Sequence, residues 1–167
     1  SDKISVILLI DNGGYSMTPF VHITRLLFSK LHERFEDLKT YFFHNTIYDK
    51  VYVDYRRIRA VPTEQLLLRR PDVRVVIVGD ATMAPEELEN YGGAIDNWHA
   101  IGEPPSTHWL QRLSERFPHT CWLNPIPREH WETTYGAYTL NRIRGFFHME
   151  DMTLGGVKSM VEFLSEK

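Results

Sequence analysis

The 167-residue chain is long enough for one domain and short for two, and folding at this size hides roughly two-thirds of the unfolded surface. With 43% hydrophobic and 25% charged residues it has the composition of an ordinary globular protein. A net charge of −3 excludes a global electrostatic drive toward nucleic acid or an anionic membrane. The single cysteine, Cys121, rules out an internal disulfide, suits a reducing compartment and reads as a small core residue within Cys121-Trp122-Leu123. No signal peptide precedes the first strand, and no apolar run nears the ~20 residues of a membrane span, so a cytoplasmic location is expected. The chain starts only a few residues before that strand, as expected of a single domain over residues 1–167 cut from a longer protein.

Ser5 to Ile10 is almost continuously apolar and ends at Asp11, the pattern of a strand buried on both faces of a parallel sheet. Gly13-Gly14 makes a turn, and Thr18 with Pro19 reads as the cap and first residue of a helix over 18–35, with Phe20, Ile23, Leu26, Leu27, Leu31 and Phe35 at helical spacing. Leu38 to His44 is a second strand and Val51 to Tyr55 a short antiparallel edge strand. Arg56, Arg57 and Arg59 form a small basic cluster in what reads as a solvated loop. Thr63 to Arg70 is a short helix after Pro62, and Val73 to Val78 a buried strand running into Gly79-Asp80. Pro85 to Glu89 opens a short helix, residues 91–106 are loop, and Thr107 to Phe117 is a helix. His119 to Leu123 is the last strand, and residues 138–146 and 155–165 are helical. Trp98, Trp109, Trp122 and Trp131 read as packing residues. Alternating strands and helices predict a doubly wound, mainly parallel α/β sheet of Rossmann-like type with helices on both faces.

In such sheets ligands bind beyond the carboxyl ends of the strands, at the point where strand order reverses. Asp11 and Asp80 both end buried strands and belong on that edge. The segment from Leu9 to Met17 places a carboxylate, a glycine loop, the hydroxyl of Ser16 and a helix start in sequence. Hard divalent cations such as Mg²⁺ take oxygen ligands and keep several waters. Asp11, Ser16 and Asp80 offer such oxygens, and Thr63, at a helix start, offers another. The same residues have plainer readings: a strand-ending aspartate often only caps a turn, Asn12 is a common turn residue, His44 a common hydrogen-bonded structural histidine, and Thr82 and Met83 a helix cap and packing. No His/Cys zinc spacing, phosphate loop, dinucleotide fingerprint or nucleophile elbow occurs.

Leu9-Ile10-Asp11-Asn12-Gly13-Gly14-Tyr15-Ser16-Met17, Tyr41-Phe42-Phe43-His44-Asn45, Pro62-Thr63, Val78-Gly79-Asp80-Ala81-Thr82-Met83-Ala84-Pro85, Trp122-Leu123-Asn124-Pro125-Ile126-Pro127 and His130-Trp131 resemble, in order and across most of the chain, the von Willebrand factor A (VWA) domains, and more closely their bacterial CoxE-like branch. The resemblance implies a VWA fold and a metal-ion-dependent adhesion site for Mg²⁺ or Mn²⁺ on Asp11, Ser16, Thr63 and Asp80. It implies a partner-binding rim of Asn12, Gly13, Gly14, Tyr15, His44, Asn45 and Thr82. It further implies a non-enzymatic protein-interaction module whose partner is a client protein or a MoxR-type AAA+ ATPase, in cofactor maturation or complex remodelling. The first motif departs from the family's Asp-x-Ser-x-Ser: Gly13 stands in the first serine place, Tyr15 in the second, and Ser16 follows one residue late. Either the loop bulges and Ser16 reaches the ion, or the site has lost its ligands. A Mg²⁺-dependent hydrolase or phosphotransfer enzyme using Asp11 as nucleophile, and a structural subunit with a dead metal site, are the competing functions.

Overall fold

The computed structural model describes residues 4–31, 35–94 and 102–167. Seven strands form one mixed sheet: β1 (Ile4–Asp11), β2 (Phe35–Phe43), β3 (Lys50–Tyr52), β4 (Ala60–Pro62), β5 (Arg74–Val78), β6 (Thr120–Asn124) and β7 (His148–Asp151), in the order β4-β3-β2-β1-β5-β6-β7. The pairs β1–β2, β1–β5, β5–β6 and β6–β7 are parallel, whereas β2–β3 and β3–β4 are antiparallel. The helices are α1 (Thr18–Leu31), α2 (Thr63–Leu66), α3 (Pro85–Glu89), α4 (Ser106–Arg116), α5 (Ala137–Arg144) and α6 (Leu154–Ser165).

The apolar runs account for the central strands. Every residue of β5 and β6 is buried. Successive side chains alternate between two cores, as a pleated strand requires. Ile7, Leu9, Val75, Ile77 and Trp122 pack with Leu66, Leu88, Leu110, Leu113, Leu140 and Ile143 of α2, α3, α4 and α5. Val6, Leu8, Ile10, Val76, Val78 and Leu123 pack with Val21 and Phe28 of α1 and Met160 and Leu164 of α6. Helices therefore cover both faces, and the expected α/β class holds. Cys121 lies in the second core, where burial pushes its thiol up to about 12; it is a packing residue. Trp109, Trp122 and Trp131 are buried as expected; Trp98 lies outside the described residues.

Several expected boundaries differ. The helix expected over 18–35 ends at Leu31, and Phe35 starts β2 opposite Ile4. Phe35 shares the helical spacing by coincidence. The buried stripe of this helix is Val21, Thr24 and Phe28, continuing Met17, while Ile23 and Leu26 are about half exposed. Thr24 is tolerated there because its hydroxyl donates to the Phe20 carbonyl at 2.7 Å. The edge strand is not the segment Val51 to Tyr55: β3 is covered by β4 and turns back after Tyr52. The strand ending at Leu123 is not the last, because β7 pairs with it.

Candidate functional site

The chain runs from β1 outward through β2 to the antiparallel edge, then crosses back to lay β5 on the other side of β1. Strand order reverses between β1 and β5, and the crevice beyond their carboxyl ends is where open α/β sheets bind ligands. Asp11 ends β1, and Asp80 follows β5 by two residues. The two carboxylates flank that switch point.

Asp11 is 1% exposed. Its Oδ1 accepts a hydrogen bond from the Gly13 N–H at 3.1 Å, and its Oδ2 is buried without a partner. Burial raises its pKa from 3.8 to about 6; the amides of Gly13 and Asn45 and the charge of His44 pull it down, and the charge of Asp80 pushes it up. A buried carboxylate oxygen without a donor costs free energy unless something supplies positive charge. Gly79 fits against it closely: a Cβ at Gly79 would stand 3.3 Å from the Asp11 Cβ and 3.2 Å from the Trp122 ring.

Asp80 is held from both sides. Its Oδ1 accepts from the Thr82 N–H at 3.0 Å, its Oδ2 from the Ser16 hydroxyl at 2.5 Å, and its main-chain carbonyl from Asn124 Nδ2 at 2.9 Å. Local geometry explains how Ser16 arrives. Tyr15–Met17 form a single 3₁₀ turn, closed by Met17 N–H to the Gly14 carbonyl at 3.1 Å, and Thr18 already has helical dihedrals. Thr18 is therefore not the helix cap that the sequence suggests. The tighter 3₁₀ winding turns Ser16 toward Asp80 and leaves Tyr15 98% exposed. One residue late in the motif, the Ser16 hydroxyl thus bonds to the second aspartate.

Gly13 is required by packing. A Cβ there would lie 2.1 Å from Cγ of His44, so the imidazole fills the space a side chain would take. Asn45, next to His44, sits at φ 65, its N–H facing Asp11 and its Nδ2 donating to Glu87 of α3 at 2.7 Å. Asn12 accepts from Arg57 and donates to the Tyr55 carbonyl, both at 2.7 Å. Thr82 packs under Gly136, whose added Cβ would come within 2.7 Å of it. Gly13, Asn45 and His44 thus act on Asp11, and Thr82 on Asp80. Thr63 does not join them through any described contact: its buried hydroxyl donates to the Tyr48 carbonyl at 2.6 Å.

Three non-glycine residues among those described have a left-handed backbone, Asn45, Arg57 and Ala81. Each adjoins this crevice through its chain neighbour or a direct bond. Such strain persists where surrounding structure fixes it, and it clusters at functional sites. The sequence missed Asn124 and Trp122 as supports; Trp122 Nε1 donates to the Gly79 carbonyl at 2.8 Å, which together with Asn124 fixes the Gly79-Asp80 main chain. Their place at the end of β6, one strand from Asp80, was the available signal. Among the described residues no three His, Cys, Asp or Glu side chains converge as a ligand set. What the crevice offers a hard cation is Asp11 Oδ2, Ser16 Oγ and Asp80 Oδ2, with water for the rest. Among the described residues no helix is long and apolar enough to cross a membrane. No family model matches the chain, and no curated protein matches it.

Proposed function

We propose that this chain is a protein-interaction domain of the VWA, CoxE-like kind, with a variant metal-ion-dependent adhesion site, that works beside a MoxR-type AAA+ ATPase or on a client protein. The observation that carries the reading is the meeting of Ser16 with Asp80 beside a buried, half-unpartnered Asp11 at the sheet's switch point. Asp11 and Asp80 supply the charge for Mg²⁺ or Mn²⁺, and Ser16 supplies a hydroxyl. The bound ion would offer an open coordination position to an oxygen of the partner. Ligation by Thr63 is the weakest part of the set, since its hydroxyl proton is committed to Tyr48. Because Asp11 must be ionised to bind, affinity rises with pH through about 6.

Calorimetric titration of the wild type with Mg²⁺ and Mn²⁺, beside Asp11→Ala, tests this. With one serine place filled by glycine, dissociation constants on the order of millimolar are expected, lost in the variant. Equal heats from both proteins would overturn the cation site. Micromolar binding lost in the variant would show a fuller ligand set than the three oxygens described.

A further inference from the structure

The basic cluster at Arg56, Arg57 and Arg59 belongs to a built hairpin tip rather than a loose loop. It joins β3 to β4, and its base closes with the Val53 N–H donating to the Arg59 carbonyl at 3.0 Å. Asp54 organises the turn from inside: its Oδ1 accepts from the N–H groups of Ile58 at 3.0 Å and Arg59 at 2.7 Å, and its carbonyl accepts from the Arg57 N–H at 3.1 Å. Arg57 takes a left-handed backbone, φ 56. Two reciprocal bonds with Asn12 then pin the tip to the Asp11 loop, Arg57 Nη1 to Asn12 Oδ1 and Asn12 Nδ2 to the Tyr55 carbonyl. Tyr55 anchors one edge against Phe42, ring centroids 5.8 Å apart.

What this scaffold displays is unusual for a solvated turn. Ile58 is 70% exposed, Tyr55 52% and Val53 39%, with exposed Arg56 and Arg59 between them. Solvated turns are ordinarily built from Gly, Asn, Asp and Ser. The tip carries three arginines against one aspartate, Asp54, whose carboxylate is engaged by backbone amides. A rigid, pre-organised tip that mixes aromatic, aliphatic and arginine side chains has the composition of a binding hot spot and loses little entropy on docking. Its excess positive charge selects the partner's sign.

We propose that the hairpin tip, residues 53–59, docks an acidic protein segment that carries an apolar side chain: Arg56 and Arg59 engage the carboxylates, and Ile58 and Tyr55 take the apolar group. The proposal goes beyond the cation reading and needs no metal. Nucleic acid, the other polyanion, lacks the aliphatic group that Ile58 would cover.

Fluorescence anisotropy in EDTA at low salt, with a fluorescein-labelled peptide of alternating Glu and Leu, tests it. Wild type should bind this peptide and not its Gln-Leu counterpart. Arg56→Glu with Arg59→Glu should weaken binding at least tenfold and Ile58→Ser several-fold, while Arg56→Lys with Arg59→Lys keeps most of it; unchanged far-UV circular dichroism confirms that each variant folds. Absence of peptide binding, equal binding by the charge-reversed protein, or tighter binding of a labelled 20-base-pair DNA duplex would overturn the proposal. Since EDTA removes any cation, failure of the adhesion-site reading leaves this result untouched.

Discussion

Asp11 and Asp151 end parallel strands of one sheet at the same edge, both nearly buried, and their environments are opposite. Asp151 is surrounded by donors: the Thr153 hydroxyl and N–H reach its Oδ1, and the Arg128 N–H reaches its Oδ2 at 2.9 Å. Desolvation pushes its pKa up, but the Thr153 hydroxyl and the Arg128 and Thr153 amides outweigh it and hold the carboxyl below its usual range. Thr153 in turn caps α6 by accepting from the Gly156 N–H at 3.0 Å. Asp11 has the Gly13 bond to Oδ1 and an Oδ2 without a partner, and burial raises its pKa against the pull of the Gly13 and Asn45 amides. The position of an aspartate at a strand end does not separate a structural role from a binding one; whether its oxygens are already spent does.

The comparison can be broken most severely at Gly156, where a Cβ would stand 2.1 Å from both the carbonyl oxygen and Oδ1 of Asp151. Gly156→Ala is expected to cost about 3 kcal/mol in urea denaturation, since the nearest atoms include backbone. A loss below about 1 kcal/mol would mean that the α6 cap yields easily and that Asp151 is not rigidly held.

Asp11 makes the opposite expectation. Its folded pKa, about 6, lies above the unfolded 3.8, so the folded state holds the proton more tightly. Its contribution is fully present below about pH 4 and is lost as pH rises through about 6. The shift corresponds to roughly 3 kcal/mol. Urea stabilities of wild type and Asp11→Asn, measured from pH 4 to 8, should therefore diverge by about that amount, with wild type falling relative to the variant. Parallel curves would show that Asp11 is not desolvated. For Asp151 the sign reverses: Asp151→Asn should lose stability relative to wild type as pH rises out of the acid range.

A cation should offset the Asp11 cost. At pH 7.5, 10 mM Mg²⁺ should stabilise wild type by about 1.4 kcal/mol for a dissociation constant of about 1 mM, and leave Asp11→Asn unmoved. Stabilisation of both proteins alike would place the ion elsewhere. The smallest effect belongs to Ser16→Ala, which removes one hydrogen bond to Asp80 and should cost about 1 kcal/mol without Mg²⁺. A variant that also loses the Mg²⁺ response identifies Ser16 as a ligand; one that keeps it leaves Ser16 as a support for Asp80.

The sequence by itself determined the central strands and the two edge aspartates. Unbroken apolar runs such as Val6 to Ile10 and Val75 to Val78 are stable only when buried on both faces, so periodicity and flanking glycine suffice to find them. It did not determine β4 or β7. Ala60–Pro62 has three residues, and His148–Asp151 alternates exposed and buried around two carboxylates; each is a strand because a neighbour supplies the hydrogen bonds. Phe35 likewise fits a helix by spacing and became β2 through pairing with β1. Only the tertiary structure decided that the 3₁₀ turn carries Ser16 to Asp80, that His44 occupies the space beside Gly13, and that Thr63 spends its hydroxyl proton on Tyr48. Those outcomes depend on partners 15 to 64 residues away in the chain, and no local pattern encodes which oxygen will be left without a donor.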